Sequence, residues 1–135
     1  MVQLAETYGV KEKLTFTGYR KDPLHIMSAV QILTHTSISP EPFGMVLVEG
    51  ALLRKAMIAT NAGGVPEIIR NGHEGLLVPP DDAGALAEAL ERLIVNPVLR
   101  ERFGAAARLK AEREFSLHSC VSRMEAKLQE AIGHR

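Results

Sequence analysis

The 135-residue sequence predicts an α/β fold, a mostly parallel sheet with helices on both faces. Three observations carry that expectation. Short apolar runs at 14–17, 30–36, 57–60 and 76–78 alternate with helical patterns over the first part of the chain. Glycine and proline fall in the junctions, at Gly9, Gly18, Pro40, Pro42 and Gly63-Gly64. After Pro79-Pro80-Asp81-Asp82 the strand pattern stops and the chain reads as helical to its end. Hydrophobic residues make up 46% and charged residues 24%, the balance of a globular chain long enough to bury one core.

Each element has a local reason. Residues 2–8 read as an amphipathic helix that Gly9 ends. The run 14–17 reads as a strand ended by Gly18. Asp22-Pro23 supplies an N-cap and a first-turn proline for a short helix through Ala29. A strand at 30–36, a helix at 43–55 and a strand at 57–60 follow, then a short helix at 66–70 and a strand at 76–78. Asp82 caps the next helix, Asn96-Pro97 starts another, and Ser116 caps the last. The expected organisation is one partial domain over 1–135, α/β over about 1–80 and helical over about 81–135.

In parallel sheets, ligands bind outside the carboxyl ends of the strands. Gly18-Tyr19, the 39–44 loop and the 61–64 loop all fall at such ends, so the motifs converge on one rim. The most informative stretch is Ser-Pro-Glu-Pro-Phe-Gly-Met-Val-Leu-Val-Glu, in which seven residues separate Glu41 from Glu49. Pro42 biases Glu41 toward extended geometry, so the loop is stiff and its carboxylate is aimed. Phe43-Gly44 opens a helix whose first N–H groups suit an anion, most often a phosphate. At 100° per residue Glu49 falls between Met45, Val46, Leu52 and Leu53, an apolar sector where an unpaired carboxylate is costly. It therefore pairs with a basic residue, caps a nearby loop or accepts hydroxyls from a ligand. A phosphate site flanked by two such carboxylates suits a sugar nucleotide. For Gly63-Gly64 two readings stand together, a tight turn with positive φ or bare backbone approaching the ligand. Glu67 reads as a complement to the dipole of its own helix.

Composition narrows the classes further. Net charge is zero and the pI is near 7, which leaves no electrostatic footprint for nucleic acid. The single cysteine, Cys120, excludes an internal disulfide, fits a reducing compartment and reads as a packing residue. No apolar run reaches membrane-span length and the amino end does not read as a signal peptide, so the expected location is cytoplasmic. His35 reads as a satisfied core residue, His73 as solvated, and His25, His118 and His134 lie on helices or the tail. No pair has metal-ligand spacing and no acidic pair sits in a ligand loop, so no metal is expected.

These motifs also carry a family resemblance. The Glu41–Glu49 segment resembles the Glu–seven residues–Glu signature of the retaining "group 1" (family 4) glycosyltransferases, which have the two-domain GT-B fold. Phe16-Thr17-Gly18-Tyr19 is similar to the family's strand-end glycine motif, 57–69 to its second glycine loop, and 71–79 to its turn and short strand. The resemblance implies a Rossmann-like, partial carboxy-terminal GT-B domain that binds a nucleoside diphosphate sugar as substrate, with no cofactor. It implies that Glu49 accepts ribose hydroxyls and that Glu41 touches sugar hydroxyls and is the catalytic candidate. Backbone at Phe43, Gly44, Met45 and Val46 would hold the diphosphate, Tyr19 would meet the base, and Gly63 and Gly64 would approach the sugar. The family pattern has glycine and proline where this chain has Arg54 and Ala56, which predicts a longer or tilted helix before the strand at Met57. The family's basic glycine-rich diphosphate clamp and its acceptor domain have no counterpart here. The chain is therefore expected to be a fragment, inactive alone, whose acceptor (a sugar or lipid) would bind the missing amino-terminal domain. Peripheral membrane attachment of the full-length enzyme and self-association through an apolar stripe at Leu109, Phe115, Val121 and Leu128 belong to the same expectation. The competing class is a non-catalytic nucleotide-binding or interaction module. A sugar-nucleotide epimerase of the same fold fits less well, because the two-glutamate segment is not its signature.

Overall fold

The computed structural model describes residues 2–133, which leaves His134 outside the described residues. Its elements run α1 (Val2–Thr7), α2 (Pro23–Ala29), β1 (Ile32–His35), α3 (Met45–Leu52), β2 (Ala56–Thr60), α4 (Val65–Ile68), β3 (Gly75–Val78), α5 (Ala83–Ile94), α6 (Pro97–Glu114) and α7 (Leu117–Gly133). The strands form one parallel sheet in the order β1-β2-β3. His35 stands beside Ala59, and Thr60 beside Val78, so all three carboxyl ends open on the same rim.

Alternation along β2 separates two apolar layers. Met57 and Ala59 face Leu47, Val48 and Ala51 of α3, with Ala107 and Ala111 of α6 beside them. Ala56 and Ile58 face the other way, onto Ala89 and Leu93 of α5 and Phe103 of α6. Every residue of β2 is buried, as expected of a central strand covered on both faces. Close packing demands missing side chains at two contacts. A β-carbon on Gly50 would stand 2.4 Å from Leu33 Cδ2, and one on Gly104 would stand 2.1 Å from the Arg54 carbonyl oxygen.

Three of the expected caps form as the residue types predict. Asp82 accepts from the Ala85 N–H, Asn96 from the Leu99 N–H, and Ser116 Oγ from the Ser119 N–H. Four expectations need correction. Asp22 stands at the N-cap position of α2 but makes no side-chain cap, and its carboxylate accepts from the Arg20 guanidinium instead. Residues 14–17 form no strand: a strand requires a hydrogen-bonding neighbour, and here Leu14 and Phe16 gather instead with Leu4, Tyr8 and Val10 around an apolar hollow. Loss of the family glycine does not lengthen α3, which stops at Leu52. Arg54 adopts the left-handed conformation itself, with φ 57°. The Arg54 N–H then reaches the Ala51 carbonyl and the Lys55 N–H the Gly50 carbonyl, the paired bonds of a Schellman turn. Cys120 is exposed rather than packed, because α7 buries none of its residues and is tied to α6 through Ser119 and Arg123. Of the apolar stripe, Leu109, Val121 and Leu128 are exposed, whereas Phe115 is half-buried against the core.

Candidate functional site

Two loops meet on the carboxyl rim. The first joins β1 to α3 and carries Glu41, Pro42, Phe43 and Gly44; the second follows β2 and carries Gly63 and Gly64. The Gly64 N–H donates to the Glu41 carbonyl at 2.8 Å. A β-carbon on Gly63 would lie 2.1 Å from that same oxygen, and one on Gly64 would lie 2.4 Å from the Pro42 carbonyl. Gly63 also has φ 58°. The paired glycines therefore serve a tight turn and a close approach together, and the backbone they approach is the protein's own. From the far side Phe115, at the end of α6, packs edge-on against Phe43 with ring centroids 5.5 Å apart. The glutamate loop is thus held from two directions.

That loop feeds α3 through Gly44, whose φ of 89° is one that few side chains tolerate. No side chain caps the helix, so the Met45 and Val46 N–H groups have neither an intrahelical nor a side-chain partner. With the positive end of the macrodipole they form an anion-accepting terminus. Further along the helix Glu49 is half-buried, and among the described residues no ion pair or hydrogen bond ties up its carboxylate. The sector it occupies is not the buried one: Leu47, Val48, Gly50 and Ala51 face the core, while Met45 and Leu52 are exposed. The helix is apolar nearly all round, so apolar neighbours in sequence did not identify its buried face.

The structure thus brings Glu41, Phe43, Gly44, Gly63 and Gly64 into one packed unit and puts Met45, Val46 and Glu49 on the helix it opens. Tyr19 stands apart, 90% exposed in the bend after Gly18, with no hydrogen bond to the two loops. A hollow on the same rim, lined by Thr36, Ile38, Thr60, Val78 and Leu86, lies toward α5 instead of α3. Among the described residues no group of three His, Cys, Asp or Glu side chains is placed to hold a metal ion. No described helix is long and apolar enough to cross a membrane.

Several contacts escaped sequence reasoning. His35, the last residue of β1, places Nε2 3.5 Å from Glu41 Oε2, and its buried Nδ1 has no partner among the described protein atoms. It is not the satisfied core histidine expected. Glu74, buried just before β3, accepts from the Arg70 N–H at 2.9 Å and from its guanidinium. Burial pushes the Glu74 carboxyl up, but hydrogen bonds from the Arg70 side chain and amide, with the charges of Arg70 and Lys110, hold it below the usual glutamate range. The same pairing raises the Arg70 guanidinium. Lys110, also buried, donates from Nζ to the Glu67 carbonyl at 2.6 Å and so ties α6 to the short helix after the glycine loop. All three contacts join residues through turns or tertiary packing, which no periodicity marks.

Comparison with known proteins follows the same lines. A family model described as glycosyl transferases group 1 matches residues 1–110. The chain is 34% identical over 115 residues to the α-maltose-1-phosphate synthase of Mycobacterium tuberculosis, covering 81% of this chain and 28% of that protein. It is 36% identical over 100 residues to the phosphatidyl-myo-inositol mannosyltransferase of Mycobacterium leprae, covering 73% of this chain and 27% of the relative. The chain therefore spans little more than a quarter of the length of these curated relatives. Among solved structures, Anabaena HepE in complex with UDP superposes with a TM-score of 0.89 at 29% identity, over 95% of this chain and 35% of that one. HepE in complex with UDP-glucose gives a TM-score of 0.87 with the same coverage and identity. A carboxy-terminal domain of a group 1 glycosyl transferase from Francisella tularensis gives 0.76 at 28% identity, over 85% of this chain and 60% of that one.

Proposed function

This chain belongs to the group 1 glycosyl transferases, and from that membership we propose that it is the donor-binding part of a retaining enzyme using a nucleoside diphosphate sugar. The observation that carries the reading is the rim itself. A loop-held Glu41, an uncapped helix terminus at Met45 and Val46, and a half-buried Glu49 with no partner among the described residues follow one another along a single turn-and-helix. That order matches what a donor presents, a diphosphate between a ribose and a sugar. In this assignment backbone at Phe43, Gly44, Met45 and Val46 faces the diphosphate, Glu49 accepts ribose hydroxyls, and Glu41 meets the sugar as the catalytic candidate. Tyr19 meets the base, a role its exposed position leaves open to a ligand. Gly63 and Gly64 act on the sugar indirectly, by seating Glu41. Charge developing on the leaving diphosphate would be stabilised by fixed N–H dipoles, so catalysis here is electrostatic preorganisation without covalent chemistry by a side chain. The complexes of HepE with UDP and UDP-glucose support uridine nucleotides as the first probes.

Titration by nuclear magnetic resonance at millimolar ligand separates the two glutamates. Glu49→Gln weakens UDP and UDP-glucose alike, by about 1–3 kcal/mol, the typical worth of a charged hydrogen bond. Glu41→Gln weakens UDP-glucose and leaves UDP nearly unchanged. Equal effects of both substitutions on both ligands would refute the division of labour. Because the relatives extend over a length several times that of this chain, the acceptor (a sugar or lipid) is assigned to a part of the enzyme that this chain does not contain. Alone, the chain acts as a nucleotide-binding module and forms no product with UDP-glucose; detectable transfer by the purified chain would overturn that.

A further inference from the structure

Resting on the assignment of Glu41 to the donor sugar, we propose that His35 is a positioning residue, holding the Glu41 carboxylate toward the sugar through an Nε2–H donor. Three observations converge on it. His35 Nε2 lies 3.5 Å from Glu41 Oε2, within ion-pair reach though longer than a formed hydrogen bond, as is common before a ligand tightens a site. Only 15% of the His35 side chain is exposed, against 38% of that of Glu41, so the ring stands behind the carboxylate and the carboxylate stands in front. The buried Nδ1 meets no partner among the described residues, so the only ring nitrogen with a carboxylate acceptor in reach is Nε2, the one facing Glu41.

The backbone beneath is rigid where it needs to be. His35 ends β1 in register with Ala59 of a wholly buried strand, and its carbonyl faces the Thr60 hydroxyl at 3.4 Å. The Glu41 main chain is fixed separately by the Gly64 N–H at 2.8 Å. Two anchors on different elements leave the Glu41 side chain as the adjustable part, and the imidazole limits that adjustment. A ring acting this way affects only a ligand that touches Glu41, whereas a ring that merely fills space affects the fold and every ligand alike.

The test uses the full chain with UDP and UDP-glucose as probes. His35→Leu is expected to weaken UDP-glucose roughly three- to ten-fold, the scale of one hydrogen bond, with UDP unchanged. His35→Gln, whose amide N–H can stand near the Nε2 position, restores most of the loss. In a Glu41→Ala background His35→Leu adds nothing further. Long-range proton–nitrogen spectra of the parent chain show the Nε2–H tautomer, with ring resonances that move on Glu41→Gln; this readout stands even where His35→Leu does not fold. Equal losses for both probes, no loss, a Gln variant no better than Leu, or an Nδ1–H tautomer would each overturn the positioning role while leaving the donor site intact. Failure of the parent chain to bind UDP-glucose would overturn the donor assignment and this role with it.

Discussion

Replacing Arg54 by glycine is expected to stabilise the protein, and the structure sets the size of the gain. Arg54 sits at the C′ position of the turn that ends α3, with φ 57°. An L-residue in that conformation carries about 1–2 kcal/mol of steric cost, which glycine does not incur. Glycine adds freedom to the unfolded chain, returning about 0.4–1 kcal/mol of the gain. The exposed arginine also lends about 0.3 kcal/mol to the helix dipole, which is lost with the side chain. Alanine at the same position loses that charge and keeps the strain, so the comparison of Arg54→Gly with Arg54→Ala isolates the backbone. We expect the glycine variant to exceed the alanine variant by about 0.5–1 kcal/mol, or roughly 2–4 °C in the thermal midpoint. Urea unfolding with a common slope and thermal scans followed by circular dichroism both measure it. An alanine variant as stable as the glycine variant would refute the claim that Arg54 stores strain, and with it the account of why α3 ends without the family's glycine.

Three further outcomes follow from contacts elsewhere. Gly104→Ala forces a β-carbon to within 2.1 Å of the Arg54 carbonyl and is expected to destabilise by about 1–3 kcal/mol in urea unfolding. Gly63→Ala meets both a positive φ and the Glu41 carbonyl at 2.1 Å, so it should displace the glutamate loop and weaken UDP-glucose more than UDP in the same titrations. Because the Glu74 carboxyl is held below the usual value of about 4.3, its contribution is complete above that value and is lost as pH falls through the lower, folded-state one. Glu74→Gln should therefore destabilise at neutral pH by about 1–3 kcal/mol and flatten the acid limb of stability measured from pH 6 down to pH 2.

Much of the fold was legible because local chemistry and tertiary context agree there. Pro23, Asp82, Asn96 and Ser116 mark helix starts through the chemistry of orphan N–H groups, and each stands where its helix begins. The buried strand β2 reads as an unbroken apolar run because both its faces are covered. Residues 14–17 failed because an apolar extended segment becomes a strand only beside another strand, and a sequence does not say whether one is there. At the site, proline and glycine spacing announced the glutamate loop and the helix it opens. The face on which Glu49 lies was misread because α3 is apolar almost all round, so periodicity could not choose between sheet and open side. His35 and Phe115 were invisible as partners of Glu41 and Phe43, since one contact depends on how a strand end aims a ring and the other spans from α6 back to the first loop.

The central claim is that the rim around the amino end of α3 receives a nucleoside diphosphate. The most direct measurement is a residue-resolved amide titration of the isotopically labelled chain with UDP. Saturable shifts centred on Gly44, Met45, Val46 and Glu49, lost in Glu49→Gln, are the predicted result. Shifts centred on another face of the sheet, or none at millimolar UDP, would contradict the account.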